Sequence, residues 1–216
     1  MNISIIDGRR NAIGTAPVKV LVDVFRSTST IPVIIKNNAQ CVIPSRTIRQ
    51  ARTNQRKREC SMLVGERFGL KVPGFHYNNS PADVWDVDFS GKTVCFTSTN
   101  GTMVLEKIRD FPKIFISSFV NFTATLELLR DEDEVEIVMS GRPDASADED
   151  LIYAEFLRDS LSGNQSSFEV YATSVRNSKG AKRLSMLGYA KDVEKCLAID
   201  HVDFATVYEN GRIVRA

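Results

Sequence analysis

The sequence predicts an α/β protein, a layered α/β/α architecture on a largely parallel or mixed sheet, with room for two closely packed lobes. Two observations carry this. Short apolar runs of strand length recur along the chain, and in the amino-terminal two thirds most are followed by a helix-like pattern. The 216 residues, 43% hydrophobic and 25% charged, are also enough to bury a substantial core. We read 1–216 as a single unit, with a candidate lobe boundary near 141–147.

Ile3 to Ile6 is the first predicted strand, and Asp7-Gly8-Arg9-Arg10 the turn after it. Val18 to Phe25 is a second strand that runs through Arg26 to Thr30 into a helix ending near Asn38. Pro32 is expected in the first turn of that helix, with Ser29 or a neighbouring hydroxyl residue as cap. Cys41 to Ile43 is a strand, Arg46 to Glu59 a polar helix, and Met62 to Val64 a strand ending at Gly65-Glu66-Arg67. The following FGLKVPGFHYNNSPADV has the glycine, proline and asparagine content of a long loop, of the kind that covers or forms a site. Strand and helix then alternate: Lys92 to Phe96, Met103 to Ile108, Lys113 to Ile116, Val120 to Leu129, Val135 to Met139. Helices are expected from Asp148, over Ser178 to Leu187, and from Asp192 to Leu197. A hairpin closes the chain around Asn210-Gly211.

Composition excludes several classes. A net charge of +1 from 28 basic and 27 acidic residues provides no electrostatic footprint for nucleic acid or a membrane surface. The amino-terminal segment is interrupted by charge too early for a signal peptide, and no apolar run reaches membrane-spanning length, so a cytoplasmic protein is expected. Cys41, Cys60, Cys95 and Cys196 show no paired spacing and read as free thiols. With only two histidines, any metal site must be mostly oxygen-ligated, as suits magnesium. There is no GxSxG elbow and no GxxxxGK[ST] loop.

In a parallel sheet, strand ends converge on one edge, so four places are candidates for a common cleft. Asp23 interrupts an apolar strand ahead of Arg26 and four hydroxyl residues. It reads as a metal ligand or acid/base group beside an anion site, or as an internal pair with Arg26. Glu66, with Arg67, Lys71, Gly74, Asn78, Asn79 and Ser80, can supply a second carboxylate and counter-charges, or only a cover. Thr97-Ser98-Thr99-Asn100-Gly101-Thr102 can cradle an anion with backbone donors at a helix start, or simply cap that helix. Asp148-Glu149-Asp150 can contribute carboxylates to a metal or complement a helix dipole.

Together, VDVFRSTST, GERFGLKVPGFHYNNSP, TSTNGT and the later acidic helix start resemble the 2-phosphosulfolactate phosphatase family, over most of the chain. The resemblance implies a magnesium-dependent α/β hydrolase that converts 2-phosphosulfolactate to sulfolactate and phosphate in coenzyme M biosynthesis, with a homodimer plausible. Carried over residue by residue, it makes Asp23, Arg26 and Glu66 catalytic, with Asp23 and either Glu66 or Glu149 and Asp150 as metal ligands. Lys71, Asn79, Ser80, Thr97, Asn100, Gly101 and Thr102 become substrate-binding. The sulfonate and carboxylate of such a substrate call for further cations, for which Arg67, Arg142 and Arg176 are placeholders. A phosphatase for another phosphorylated 2-hydroxy acid and a non-catalytic anion-binding protein are the alternatives. At the carboxyl end, Ala205-Thr206-Val207-Tyr208 departs from the family's Val-Pro-like step.

Overall fold

The computed structural model describes residues 1–142, 147–164 and 167–216. The strands are β1 (Asn2–Asp7), β2 (Val18–Val22), β3 (Cys41–Pro44), β4 (Met62–Arg67), β5 (Leu70–Lys71), β6 (Thr93–Thr97), β7 (Lys113–Ile116), β8 (Glu134–Met139), β9 (Thr206–Glu209) and β10 (Arg212–Arg215). The helices are α1 (Ser27–Lys36), α2 (Ile48–Arg56), α3 (Pro81–Val84), α4 (Gly101–Ile108), α5 (Phe122–Leu129), α6 (Asp148–Leu161), α7 (Phe168–Arg176), α8 (Lys179–Met186) and α9 (Ala190–Cys196). The α/β class is as the sequence predicts, and α7 is an element it did not reveal. The candidate lobe boundary falls largely on 143–146, outside the described residues. Among the described residues no helix is long and apolar enough to cross a membrane.

All ten strands join in one mixed sheet, ordered β1-β8-β2-β7-β9-β10-β3-β6-β4-β5. Pairing is parallel within β1-β8-β2-β7 and within β3-β6-β4. Between these halves stand three antiparallel steps, β7 to β9, β9 to β10 and β10 to β3. The halves therefore run in opposite directions, and in a flat sheet their carboxyl ends would lie on opposite edges.

Side-chain alternation shows how the halves come to face each other. Val18, Val20 and Val22 of β2, with Val135 and Ile137 of β8, pack against α5 to α9. On the other face, Leu21, Ile114, Ile116 and Val138 share a core with Val42, Val64, Val94 and Phe96 of the second half. Ile31, Val33 and Ile34 of α1 and Val104, Leu105 and Ile108 of α4 fill that shared core. The sheet thus closes over α1 and α4, while α2 covers the outer face of the second half through Ala51, Leu63 and Cys95.

Local chemistry explains the exceptions. Lys19, in the middle of fully buried β2, lies in register with Glu136 of β8 and forms a 2.7 Å ion pair, with Gly14 completing both shells. Pro32 sits deeper in α1 than its predicted first-turn position, and Arg26 stands at the cap. The carbonyl of Thr28, which a residue-32 N–H would otherwise satisfy, accepts instead from the Ser118 hydroxyl at 3.0 Å. Asn210 and Gly211 both adopt positive φ, 50° and 81°, as the two-residue hairpin requires.

One cysteine expectation is overturned. Cys60 and Cys95 are joined by a disulfide in the core beneath α2, whereas Cys41 and Cys196 are free and buried. The pair was invisible because 35 residues separate the two thiols. β4 and β6 pair so that Leu63 faces Cys95, which draws the approach to β4 alongside β6. Closing a loop of that length stabilises by about 2–4 kcal/mol. Reduction, or the Cys60→Ala/Cys95→Ala double variant, is expected to lower urea stability by that amount. An unchanged midpoint would show that the crosslink constrains nothing.

Candidate functional site

A cleft of about 250 Å³ opens where β2, β4 and β6 end, bounded by the β4–β5 turn, the start of α4, and α8. Asp23, Arg26, Glu66, Asn79 and Asn100 line it, so the first three predicted segments do meet. Arg142 and Arg183 complete its polar wall, and Phe25, Phe68, Leu184 and Leu187 its apolar one.

Asp23 follows β2 directly and is 5% exposed. Its Oδ2 accepts from the Ser27 hydroxyl at 2.7 Å and from the Gly101 N–H at 3.1 Å, and the Ser27 N–H also supports the carboxylate. Residue 101 must be glycine at this distance, since a Cβ would stand 2.7 Å from Oδ2 and 2.8 Å from the Ser27 hydroxyl oxygen. Burial, assisted by the charge of Glu66, holds the Asp23 carboxyl above its ordinary pKa, against the lowering effect of its donors.

Arg26 is 2% exposed and its guanidinium is fixed on three sides. Nη1 donates to Asp192 at 2.6 Å, Nη2 donates to the Gly69 carbonyl at 2.7 Å, and the group lies 4.5 Å from the Tyr189 ring centre. The alternative internal pair with Asp23 is not formed. Asp192 is in turn held by the Ser80 hydroxyl and the Ala82 N–H. Ser80 is thus both the cap of α3 and a buttress of Arg26, one layer behind the cleft wall.

Glu66 ties two turns together. Its carboxylate accepts from the N–H groups of Gly69 and Thr99 and from the Thr99 hydroxyl. Three of the backbone donors expected to cradle an anion are engaged within the protein: Thr99 donates to Glu66, Gly101 to Asp23 and Thr102 to Ser98. Thr97 accepts from Arg67, whose guanidinium also donates to the carbonyls of Glu66 and Arg46. Asn100 lines the cleft, with its side-chain oxygen accepting from Arg9, a residue that sequence reasoning left in a turn. Lys71 is exposed on β5, opposite Glu66 in the strand pairing, and lies outside the cleft wall. Arg176 pairs with Glu194, also away from the wall.

The acidic start of α6 stands behind β2. Asp150 accepts from the Val24 N–H at 2.8 Å and from the Ser140 hydroxyl at 3.2 Å. Glu149 pairs with Arg142 through Oε1, while its Oε2 is buried without a hydrogen-bond partner among the described residues. Gly180 of α8 leaves the space these two side chains occupy, because a Cβ there would collide with both. Burial raises the Asp150 carboxyl well above its ordinary pKa, and the charges of Asp23 and Glu149 add to this. Burial likewise raises Glu149, partly countered by Arg142.

Among the described residues no group of three or more His, Cys, Asp or Glu is arranged to hold a metal ion. The oxygen atoms left over in the cleft nevertheless suit a small hard cation. Asn79 donates through Nδ2 to Ser27 while its buried Oδ1 has no hydrogen-bond partner among the described residues, and the Asp23 carboxylate lines the same cleft. Magnesium commonly takes one or two carboxylates and fills its remaining positions with water and phosphate oxygens. Asp23 and Asn79 can supply such oxygens; of the other carboxylates expected from sequence, Glu66 and Asp150 already accept protein donors, whereas Glu149 Oε2 is unpartnered among the described residues.

A small cleft at converging strand ends, with an ionisable acid beside held guanidinium groups, is the anion-handling site of an α/β enzyme. Comparison with known proteins specifies which: residues 7–211 match the 2-phosphosulpholactate phosphatase family model, and the chain belongs to that family. It is 40% identical over 215 residues to a probable 2-phosphosulfolactate phosphatase of Thermoplasma acidophilum, covering 99% of this chain and 96% of the relative. Proteins of the same description from Thermoplasma volcanium and Thermotoga maritima are 37% and 36% identical, covering 98% and 89% of both chains. The protein is therefore a phosphoric monoester hydrolase.

Sequence reasoning gave Asp192 no role in the site and passed over Arg183 and Tyr189. The available signal was helical spacing: Gly180, Arg183, Leu184 and Leu187 fall at i, i+3, i+4 and i+7 and share one face of α8.

Two consequences follow from the buried charges. Asp192→Ala would strand the Arg26 cation in the interior and should cost about 3–5 kcal/mol in urea denaturation; a loss below 1 kcal/mol would refute the buried pair. An acid whose pKa is higher in the folded state favours folding when protonated, and that contribution is lost as pH rises through the folded value. Neutral, isosteric Asp150→Asn should therefore melt above the wild type at pH 8 in the presence of a chelator. The gap should close as the pH falls, and a variant less stable at pH 8 would contradict the assigned cause.

Proposed function

We propose that the protein catalyses magnesium-dependent hydrolysis of 2-phosphosulfolactate to sulfolactate and inorganic phosphate. The observation that carries the reading is the meeting, in one small cleft, of the buried Asp23 carboxylate and an Asn79 Oδ1 unpartnered among the described residues with the fixed guanidinium of Arg26. The relatives' descriptions support the substrate.

In this reading Asp23 and Asn79 hold the metal, and Ser27, bonded to both side chains, keeps them in place. Bound magnesium supplies positive charge against the phosphoryl oxygens and lowers the pKa of water. Arg26 presents its remaining N–H groups to the transferred dianion, already oriented by Asp192 and Tyr189. Its geometry is set before substrate arrives, so little reorganisation is needed as charge redistributes in the transition state. Glu66 keeps the β4–β5 turn against the start of α4 and so holds the mouth in shape. The same proposal includes a cytoplasmic homodimer serving coenzyme M biosynthesis, as the family resemblance implies.

Phosphate release from 2-phosphosulfolactate, measured with magnesium and with a chelator, tests this directly. Wild type should depend on the metal, and Asp23→Asn, folded by circular dichroism, should lose about a thousandfold in kcat/KM. Unchanged turnover in that variant removes Asp23 from the mechanism. Turnover that survives the chelator removes magnesium.

A further inference from the structure

A substrate of the proposed kind carries anionic groups besides the phosphoryl that leaves, and the cleft must offer them a cation. Its guanidinium groups differ in availability. Arg26 is balanced by Asp192 and Arg142 by Glu149. Arg67 lies outside the cleft wall and is spent on two carbonyls and a hydroxyl. Arg183 lines the cleft from α8, and among the described residues its guanidinium forms no ion pair or hydrogen bond.

We infer that Arg183 is the specificity-determining residue of this site, taking the anionic group of the substrate that is not transferred. The inference rests on the hydrolysis of a phosphorylated acid proposed above. Two features of the wall support it. Gly180, one turn earlier on the same face of α8, gives Arg142 and Glu149 room to pair with each other, so the Glu149 charge is taken up by Arg142. Leu184 and Leu187 continue that face along the wall, and Arg183 is exposed, so its guanidinium is open to an anionic group of a substrate entering the cleft. A guanidinium presents paired N–H donors that match two oxygens of a sulfonate or a carboxylate, and it sheds water more readily than an ammonium.

The test compares 2-phosphosulfolactate, 2-phospholactate, which keeps only the carboxylate, and phenyl phosphate, which has neither anion. In Arg183→Ala the ratio of kcat/KM for 2-phosphosulfolactate over phenyl phosphate should fall about 10- to 100-fold, chiefly through KM, and Arg183→Lys should restore part of it. If the 2-phospholactate ratio falls equally, the bound group is the carboxylate; if it holds, the group is the sulfonate. A ratio that does not move, or an equal loss on phenyl phosphate, overturns the assignment. Calorimetric titration with sulfolactate decides the matter without turnover. Arg183→Ala should bind at least about tenfold more weakly than wild type, and equal affinity, or no binding to wild type, overturns the inference. Failure of the parent reading looks different, since wild type would then release no phosphate from 2-phosphosulfolactate while the sulfolactate titration still reads Arg183.

Discussion

The hydrogen bond from the Gly101 N–H to Asp23 Oδ2 joins two half-sheets that run in opposite directions. Asp23 belongs to the end of β2 in the first half, and Gly101 opens α4 after β6 in the second. Without a contact between these ends the cleft would have no floor. The shared core around α1 and α4 brings them together, and the missing side chain at residue 101 allows the last approach. Ser27 adds the third member, because its hydroxyl donates to Asp23 and accepts from Asn79, so the long loop before α3 is tied to the same point.

That arrangement concentrates charge in a place from which water is largely excluded. Buried ions are tolerated when each has a partner and its remaining hydrogen-bond capacity is used. Arg26 with Asp192, and Lys19 with Glu136, satisfy this. Asp23, Glu149 and Asp150 satisfy it only in part, since their carboxyls are held above ordinary values by desolvation and by neighbouring carboxylates, Glu66 acting on Asp23, and Asp23 on the other two. Several carboxyl groups are thus crowded close to the position where a phosphorylated acid would have to sit. A cation between acid and substrate would offset both repulsions at once, which is the physical ground for the magnesium proposed above.

Much of the fold was legible because it is written in local patterns. The apolar runs of β2, β6, β7 and β8, the Asn210-Gly211 turn and the acidic start of α6 all carry short-range signals. The convergence of Asp23, Glu66 and Asn100 was legible too, although the reason given for it was incomplete. One parallel sheet edge does not bring them together; two oppositely directed halves closing over α1 and α4 do, and no local pattern encodes a β9–β10 hairpin inserted between β7 and β3. Cys60 with Cys95, and Arg26 with Asp192, are pairs 35 and 166 residues apart, for which one sequence offers no spacing rule. Hydroxyl-rich TSTNGT was read as a set of donors for an anion, yet composition cannot tell donors aimed outward from donors already taken by Glu66, Asp23 and Ser98.

The carboxyl-terminal helices then acquire a purpose that their sequences alone do not announce. They cover the outer face of β2 and β8, as any amphipathic layer would. Three of them also reach the cleft or the wall behind it: α6 with Glu149 and Asp150, α8 with Gly180, Leu184 and Arg183, and α9 with Asp192. Arg26 depends on α9 for its counter-ion although its own strand lies at the other end of the chain. A separate lobe free to move relative to β2 would break that ion pair and the Asp150 contact with Val24. The helical layer and the end of β2 are therefore tied together by the same buried charges that border the cleft.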